Sequence, residues 1–350
     1  MRSSPASNSV FAIAIALAVG TADAATATHD RELVLAGGSL HLCSSLALRD
    51  CGDGADVRGA NARGESQYRI DAGGIAALRD MRLAAREGPD GDARIAWLEA
   101  AGRATRHAAL SRSKLVEALR NTCVESSRAR PCMRGQTSPW ERLDDATRAA
   151  VLSAFEVPQL DASGMRRRER ASLAGSRHDA GPAVLRTFVE RAAERSPDRR
   201  PRIAVVTASA QDSFDPVDVY LDALQQAGAD AQWWPIDGAL AAALRNGGDC
   251  DALPALRREV LQQAGRERVF PDLAQQQLDA CRDGAALATL PDRIQGVSSP
   301  GETSGGCAGR SSTPKARPCP GSNGCAPRSR AVMSSWGARA PAARCSRTAR

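Results

Sequence analysis

Arg202-Ile-Ala-Val-Val-Thr-Ala-Ser209 is the stretch that decides the fold class, because its continuous apolar centre suits a strand of a parallel sheet covered on both faces. Downstream, Asp215-Pro216 opens a helix whose Val217, Tyr220, Leu221 and Leu224 share one stripe, and Gly228 ends it. Ala231-Gln-Trp-Trp-Pro-Ile236 is the next strand, with Trp233 and Trp234 as apolar fill. A helical stretch bracketed by Cys250 and Cys281 then leads to Arg293-Ile-Gln-Gly-Val297, the start of another buried strand. Upstream, Val184, Leu185, Phe188, Val189 and Ala192 mark an amphipathic helix that closes near Ser196-Pro197. The alternation predicts an α/β protein, a doubly wound three-layer sandwich with ligands at the carboxyl ends of its strands.

The first strand of that sheet is Glu32-Leu-Val-Leu-Ala36, which runs into Gly37-Gly38-Ser39. Glycine there lets the backbone take positive φ or approach a ligand closely, so Gly37, Gly38 and Ser39 form the candidate binding loop. Residues 75–180 read as a helical insertion rich in Arg, Ala and Glu. Leu115, Val116 and Leu119 share a face, as do Leu143, Thr147, Ala150, Val151 and Ala154. Ser138-Pro139-Trp140-Glu141 has the form of a capping box with proline at the first helical position. The run Met165-Arg-Arg-Arg-Glu-Arg170 reads as a solvated helix face or loop, and no chemistry is expected from this block.

Residues 298–350 are of another kind. They contain no Leu, Ile, Phe or Tyr, and Val332, Met333 and Trp336 are their only large apolar residues. Such a composition cannot offset its ordering entropy, which predicts a disordered tail. The tail holds nine basic residues against Glu302 alone, so it accounts for the net charge of +7 and leaves residues 1–297 at −1. A near-neutral body argues against a nucleic-acid partner. The organisation expected is therefore an export segment over 1–24, the first strand and glycine loop over 25–74, the insertion over 75–180, the α/β continuation over 181–297, and the basic tail over 298–350.

The export segment rests on Arg2, the apolar run from Phe11 to Gly20 and the small-x-small Ala22-Asp-Ala24. The run is too short to span a membrane, and no stable membrane anchor is expected. Of ten cysteines, Cys43, Cys51, Cys123, Cys132, Cys250 and Cys281 precede the tail in three sequence-adjacent couples. They suit disulfides of a periplasmic or extracellular protein, although six cysteines allow fifteen pairings. Cys307, Cys319, Cys325 and Cys345 match no zinc spacing, so no metal site is expected.

Leu33-Val-Leu-Ala-Gly-Gly38, Ile203-Ala-Val-Val-Thr-Ala-Ser209 and Val219-Tyr-Leu-Asp-Ala-Leu with Ala227-Gly and Trp233-Trp-Pro-Ile-Asp237 resemble the cyanophycinase-like serine peptidases. The likeness covers about half of the body. It implies a class I glutamine-amidotransferase-like (flavodoxin-like) fold, hydrolysis of a peptide or isopeptide bond in a peptide or polypeptide substrate, and no cofactor. In that family a strand ending in Gly-Gly-Asp/Asn-Gln follows, then one ending in Gly-Thr-Ser-Ala-Gly that carries the nucleophile. Neither motif is present as written.

Both motifs are permitted when the last base of each codon is read with the first two of the next, beginning at Val297/Ser298. Ser298-Ser-Pro-Gly-Glu-Thr-Ser-Gly-Gly then permits Phe-Phe-Ser-Gly-Gly-Asp-Gln-Trp-Arg, and Ser335-Trp-Gly-Ala-Arg-Ala-Pro-Ala342 permits Val-Gly-Gly-Thr-Ser-Ala-Gly. The elbow serine would fall at Arg339/Ala340, neither of which can attack a carbonyl. A frameshift near Val297 therefore predicts a chain without catalytic residues.

Two alternatives stand beside this reading. One is a non-catalytic exported binding module whose basic tail holds anions. The other is an amidotransferase-like enzyme with a cysteine nucleophile, for which no body cysteine follows a suitable strand-turn. Ser209 lacks a Gly-x-Ser-x-Gly setting, and His41, His107 and His178 lie in unrelated surroundings.

Overall fold

Val205 ends a strand buried on both faces, and the rest of the α/β half is arranged around it. The structure is a computed structural model that describes residues 33–37, 40–81, 89–125, 128–133, 135–300 and 330–334. The expected export segment 1–24, Gly38, Ser39, Arg339 and Ala340 lie outside the described residues.

In chain order, β1 (Leu33–Gly37) precedes a mainly helical block. The block comprises β2 (Cys43–Ser44), β3 (Gln67–Tyr68), α1 (Ala72–Asp80), α2 (Pro89–Ala104), β4 (Leu110–Ser111), α3 (Arg112–Asn121), β5 (Thr122–Glu125), β6 (Arg128–Pro131), α4 (Pro139–Arg142), α5 (Asp145–Phe155) and β7 (Ala171–Ser172). The α/β half follows with α6 (Ala180–Ala193), β8 (Arg202–Val205), α7 (Val217–Gln226), β9 (Asp230–Trp233), α8 (Gly238–Arg245), α9 (Leu253–Leu261), α10 (Arg266–Val269), α11 (Pro271–Arg282), α12 (Gly284–Thr289), β10 (Gly296–Ser299) and β11 (Arg330–Ser334).

The main sheet runs β1-β11-β10-β8-β9. β8 is parallel to β9 on one side (Val205↔Trp233) and to β10 on the other (Ser298↔Val205). The crossover through α7 therefore leads one way and the return through α8 to α12 leads back, so the strand order reverses beside β8. The protein is α/β, as the alternation predicts. β11 corrects the expectation of a wholly disordered tail: it lies between β1 and β10, antiparallel to both. Its backbone is hydrogen-bonded along both edges, which an isolated polar segment could not achieve. Ser334 thus ends at the amino-terminal edge of β10.

Among the described residues, two of the five apolar clusters are the largest. One, within the helical block, packs Ile75 and Leu78 of α1, Trp97 and Leu98 of α2, Leu115 and Leu119 of α3, and Val151 and Phe155 of α5. The other packs Leu185, Phe188 and Val189 of α6 and Leu224 of α7 on Ile203, Val205 and Ala231 of the sheet. Each such aliphatic or aromatic side chain contributes about 1.5–3 kcal/mol by leaving water.

Local signals set the helix starts. Asp71, Asp144 and Asp237 accept hydrogen bonds from Gly74, Thr147 and Leu240 N–H groups at the beginnings of α1, α5 and α8. Glu141 reaches back to the Ser138 N–H at 3.2 Å, with Pro139 in the first turn and Trp140 buried. Gly74 permits α1 to touch α5, since a Cβ there would stand 2.5 Å from the Ala154 carbonyl oxygen. The sequence-adjacent cysteines pair as Cys43–Cys51, Cys123–Cys132 and Cys250–Cys281.

Candidate functional site

Beyond Val205 the chain enters a loop that is tied down internally. The Thr207 hydroxyl donates to the Ser213 carbonyl (2.5 Å) and accepts from Trp233 Nε1 (3.0 Å). The Ser213 hydroxyl donates to Asp237 (2.8 Å), the residue that also caps α8. The buried Arg257 guanidinium reaches Asp237 and Glu267 at 3.1 Å each and lies 4.1 Å from the centre of the Phe214 ring. These contacts hold Asp212 and Asp215 at the carboxyl end of β8.

There they meet two arginines from distant parts of the chain. Arg63 Nη1 donates to Asp215 (2.8 Å) and Nη2 to Glu156 (2.7 Å). Arg266 Nη1 donates to the other Glu156 oxygen (2.6 Å), and Nη2 pairs with Asp212 at 2.5 Å. Glu156 therefore bridges two guanidinium groups, with a further hydrogen bond from the Ser66 hydroxyl (2.8 Å). Burial pushes its carboxyl up, but Arg266 and Arg63 outweigh burial and hold it below the ordinary carboxylate range. The same pairings keep the buried Arg63 and Arg266 charged against their own desolvation.

This cluster forms the back of a cavity of about 580 Å³. Arg63, Ser66, Tyr68 and Arg112 come from the helical block, with Ala146, Ala149, Leu152 and Ser153 of α5. Gln211, Asp212 and Asp215 come from the loop after β8, and Val260 to Gln263 with Arg266 from the α9–α10 region. The lining holds three arginines and three carboxylates, with apolar side chains beside several amides and hydroxyls. That lining favours a polar ligand with little net charge, and it offers no Ser–His or Cys–His pair. Among the described residues no group of three or more His, Cys, Asp and Glu side chains is placed to hold a metal ion.

The sequence-derived candidates fall elsewhere. Gly37 closes β1 and is not among the lining residues. The Ser209 hydroxyl donates to the Pro300 carbonyl (2.9 Å), so it ties the ends of the β8 and β10 loops together. His41, His107 and His178 are exposed; His41 and His178 meet edge to face at 5.7 Å, and His107 contacts the Ile70 carbonyl.

The stretch 75–180, for which no chemistry is expected, supplies Arg112, Ala146, Ala149, Leu152, Ser153 and Glu156 to the lining. The run 165–170 is loop with Met165, Arg168 and Arg170 exposed, but it is not solvated throughout: Arg166 and Glu169 are buried, the former paired with Asp218 (2.5 Å) and Asp272 (2.6 Å). The burial of Arg166 has a plain cause, that a charge can be buried when partners meet it from other elements. The available signal was Asp212 and Asp215 directly after a predicted parallel strand. Comparison with protein-family models, with curated proteins and with solved structures finds no match to this chain.

Proposed function

We propose that this chain is an exported relative of the cyanophycinase-like serine peptidases, built on a doubly wound sandwich, whose catalytic half is out of frame beyond Val297. It keeps a binding pocket but carries no nucleophile. The observation that carries the reading is Ser298. This first residue past the break sits in β10 between β8 and β11, fully buried, and its hydroxyl has no partner among the described residues. An unpartnered hydroxyl in a sheet interior costs about 1–3 kcal/mol, whereas the shifted frame permits phenylalanine there. The reversal of strand order beside β8 and the three disulfides support the fold type and the oxidising compartment.

A second reading, a non-catalytic binding module, is favoured by β11, because the frame as written places Arg330–Ser334 in the main sheet. Resequencing the gene across residues 295–300, with the intact mass of the purified protein, separates the two. A restored-frame chain is expected to hydrolyse peptides, and alanine at its elbow serine to abolish this. A clean frame together with a mass matching this sequence would sink the peptidase reading and leave the binding module.

A further inference from the structure

The charged groups that line the cavity differ in what they have left for a ligand. Arg63 and Arg266 are buried and committed to Glu156, Asp215 and Asp212. Arg112, the first residue of α3, is exposed, and its guanidinium makes no ion pair or hydrogen bond among the described residues. Asp215 gives one oxygen to Arg63 (2.8 Å), while 42% of its side chain stays open to water. Gln263 adds an acceptor: its amide N–H donates to the Gln211 carbonyl, and its amide oxygen is buried with no partner among the described residues. The strand pairing Gln67↔Ser111 makes Ser66 and Arg112 the next residues at the same end of the β3–β4 ribbon. The Ser66 hydroxyl in turn touches Glu156 (2.8 Å) and Nη2 of Arg63, the arginine that holds Asp215. A free cation and a half-open carboxylate are therefore brought to one part of the cavity. Leu152, Val260 and Leu261 give the lining an aliphatic side, and about 580 Å³ lies within the range of small-molecule sites.

We infer that the cavity is a site for a free α-amino acid in its zwitterionic form, with a large apolar side chain. The ammonium group is received by Asp215 and the Gln263 amide oxygen, the carboxylate by Arg112, and the side chain by Leu152, Val260 and Leu261. An ammonium carries three N–H donors and no acceptor, which matches a half-open carboxylate beside an orphan amide oxygen. A guanidinium takes a carboxylate through two parallel hydrogen bonds, and Arg112 has its whole donor set free for this. An α-amino acid holds its two charges only a few bonds apart, as one patch with both signs requires. An anion alone would meet three carboxylates, and a dication would meet Arg112. The inference deepens the proposed function and rests on the pocket that it retains, but it concerns the chain as written and needs no nucleophile.

The experiment is isothermal titration calorimetry of the full chain at neutral pH with L-leucine, with leucinamide, which lacks the carboxylate, and with isocaproate, which lacks the ammonium. Leucine is expected to bind, and each analogue to bind at least about tenfold more weakly, the usual effect of losing a hydrogen-bonded charge. Arg112→Gln should weaken leucine about tenfold, and Asp215→Asn, which keeps an acceptor for Arg63, by a similar factor. Arg112 is exposed and unpaired, so its replacement tests the site even where the Asp215 variant disturbs the loop; circular dichroism checks that both are folded. No binding of leucine up to about 10 mM, an analogue that binds as tightly as leucine, or an unchanged leucine affinity in R112Q would each overturn the site. Peptide hydrolysis by a restored-frame chain is a separate readout, so the two readings fail independently.

Discussion

The interior beneath α1, α2, α3 and α5 and the seam behind the cavity are held by different physics, and while the first is dry, the second buries Arg63, Arg166, Arg266 and Glu156 but leaves Asp212, Asp215 and Asp272 partly open to water. The first is apolar, with Leu115, Leu119 and Phe155 wholly buried among side chains of their own kind. The second is built from Arg63, Glu156, Arg266, Asp212 and Asp215, and from Arg166 with Asp218 and Asp272. Guanidinium groups of Arg63, Arg166 and Arg266 all lie within 5.0 Å of the centre of the Phe270 ring. Apolar contact grows with area and tolerates rearrangement, whereas a buried ion pair depends on every member being present.

That difference can be broken most severely at Glu156. Glu156→Ala removes the carboxylate that two buried guanidinium groups share, leaving Arg63 with Asp215 alone and Arg266 with Asp212 alone, and should lower stability by about 3–5 kcal/mol, read as a shift of the urea midpoint. A loss under about 1 kcal/mol would mean that water replaces the carboxylate. Next comes the disulfide between Cys250 and Cys281, which closes a separation of 31 residues. Replacing both by serine should cost about 3.5 kcal/mol, against about 2.5 kcal/mol for the shorter Cys43–Cys51 loop. Equal losses in thermal melts of the two variants would show that loop length is not what matters here.

Leu119→Ala sharpens the comparison from the apolar side, with an expected loss of about 3 kcal/mol from burial and the residual cavity. Its loss should be independent of pH, whereas that of Glu156→Ala should shrink in acid. Glu156 ionises below the ordinary range when folded, so its stabilisation is present above the unfolded value and fades as pH falls through the folded one. Identical pH profiles for the two variants would erase the distinction. The smallest effect is expected at Asp144, exposed at the start of α5, where alanine should cost about 1 kcal/mol.

Much of the fold was legible because its causes are local. The apolar run 202–209 became β8, although only Arg202–Val205 is strand, since Thr207 turns aside to bond Ser213. The stripe Leu115, Val116 and Leu119 lies against the block's core as its spacing predicts. The cavity was not legible. Arg63 and Asp215 are 152 residues apart and Glu156 and Arg266 are 110, so no window of sequence contains a charge together with its partner. Arg166 looked solvated because charged residues rarely lie inside unless paired, and its pairs with Asp218 and Asp272 are long-range.

The sequence by itself determined the strand at 202–205, where α4 and α7 begin, and which cysteines stand near each other, since each of these depends on neighbours along the chain. Only the tertiary structure decided which charges are buried, that Ser298 is enclosed without a partner, and that Arg330–Ser334 enters the sheet between β1 and β10. A charge, a hydroxyl or a strand edge costs free energy according to what stands opposite it, and that is fixed only when distant parts of the chain meet.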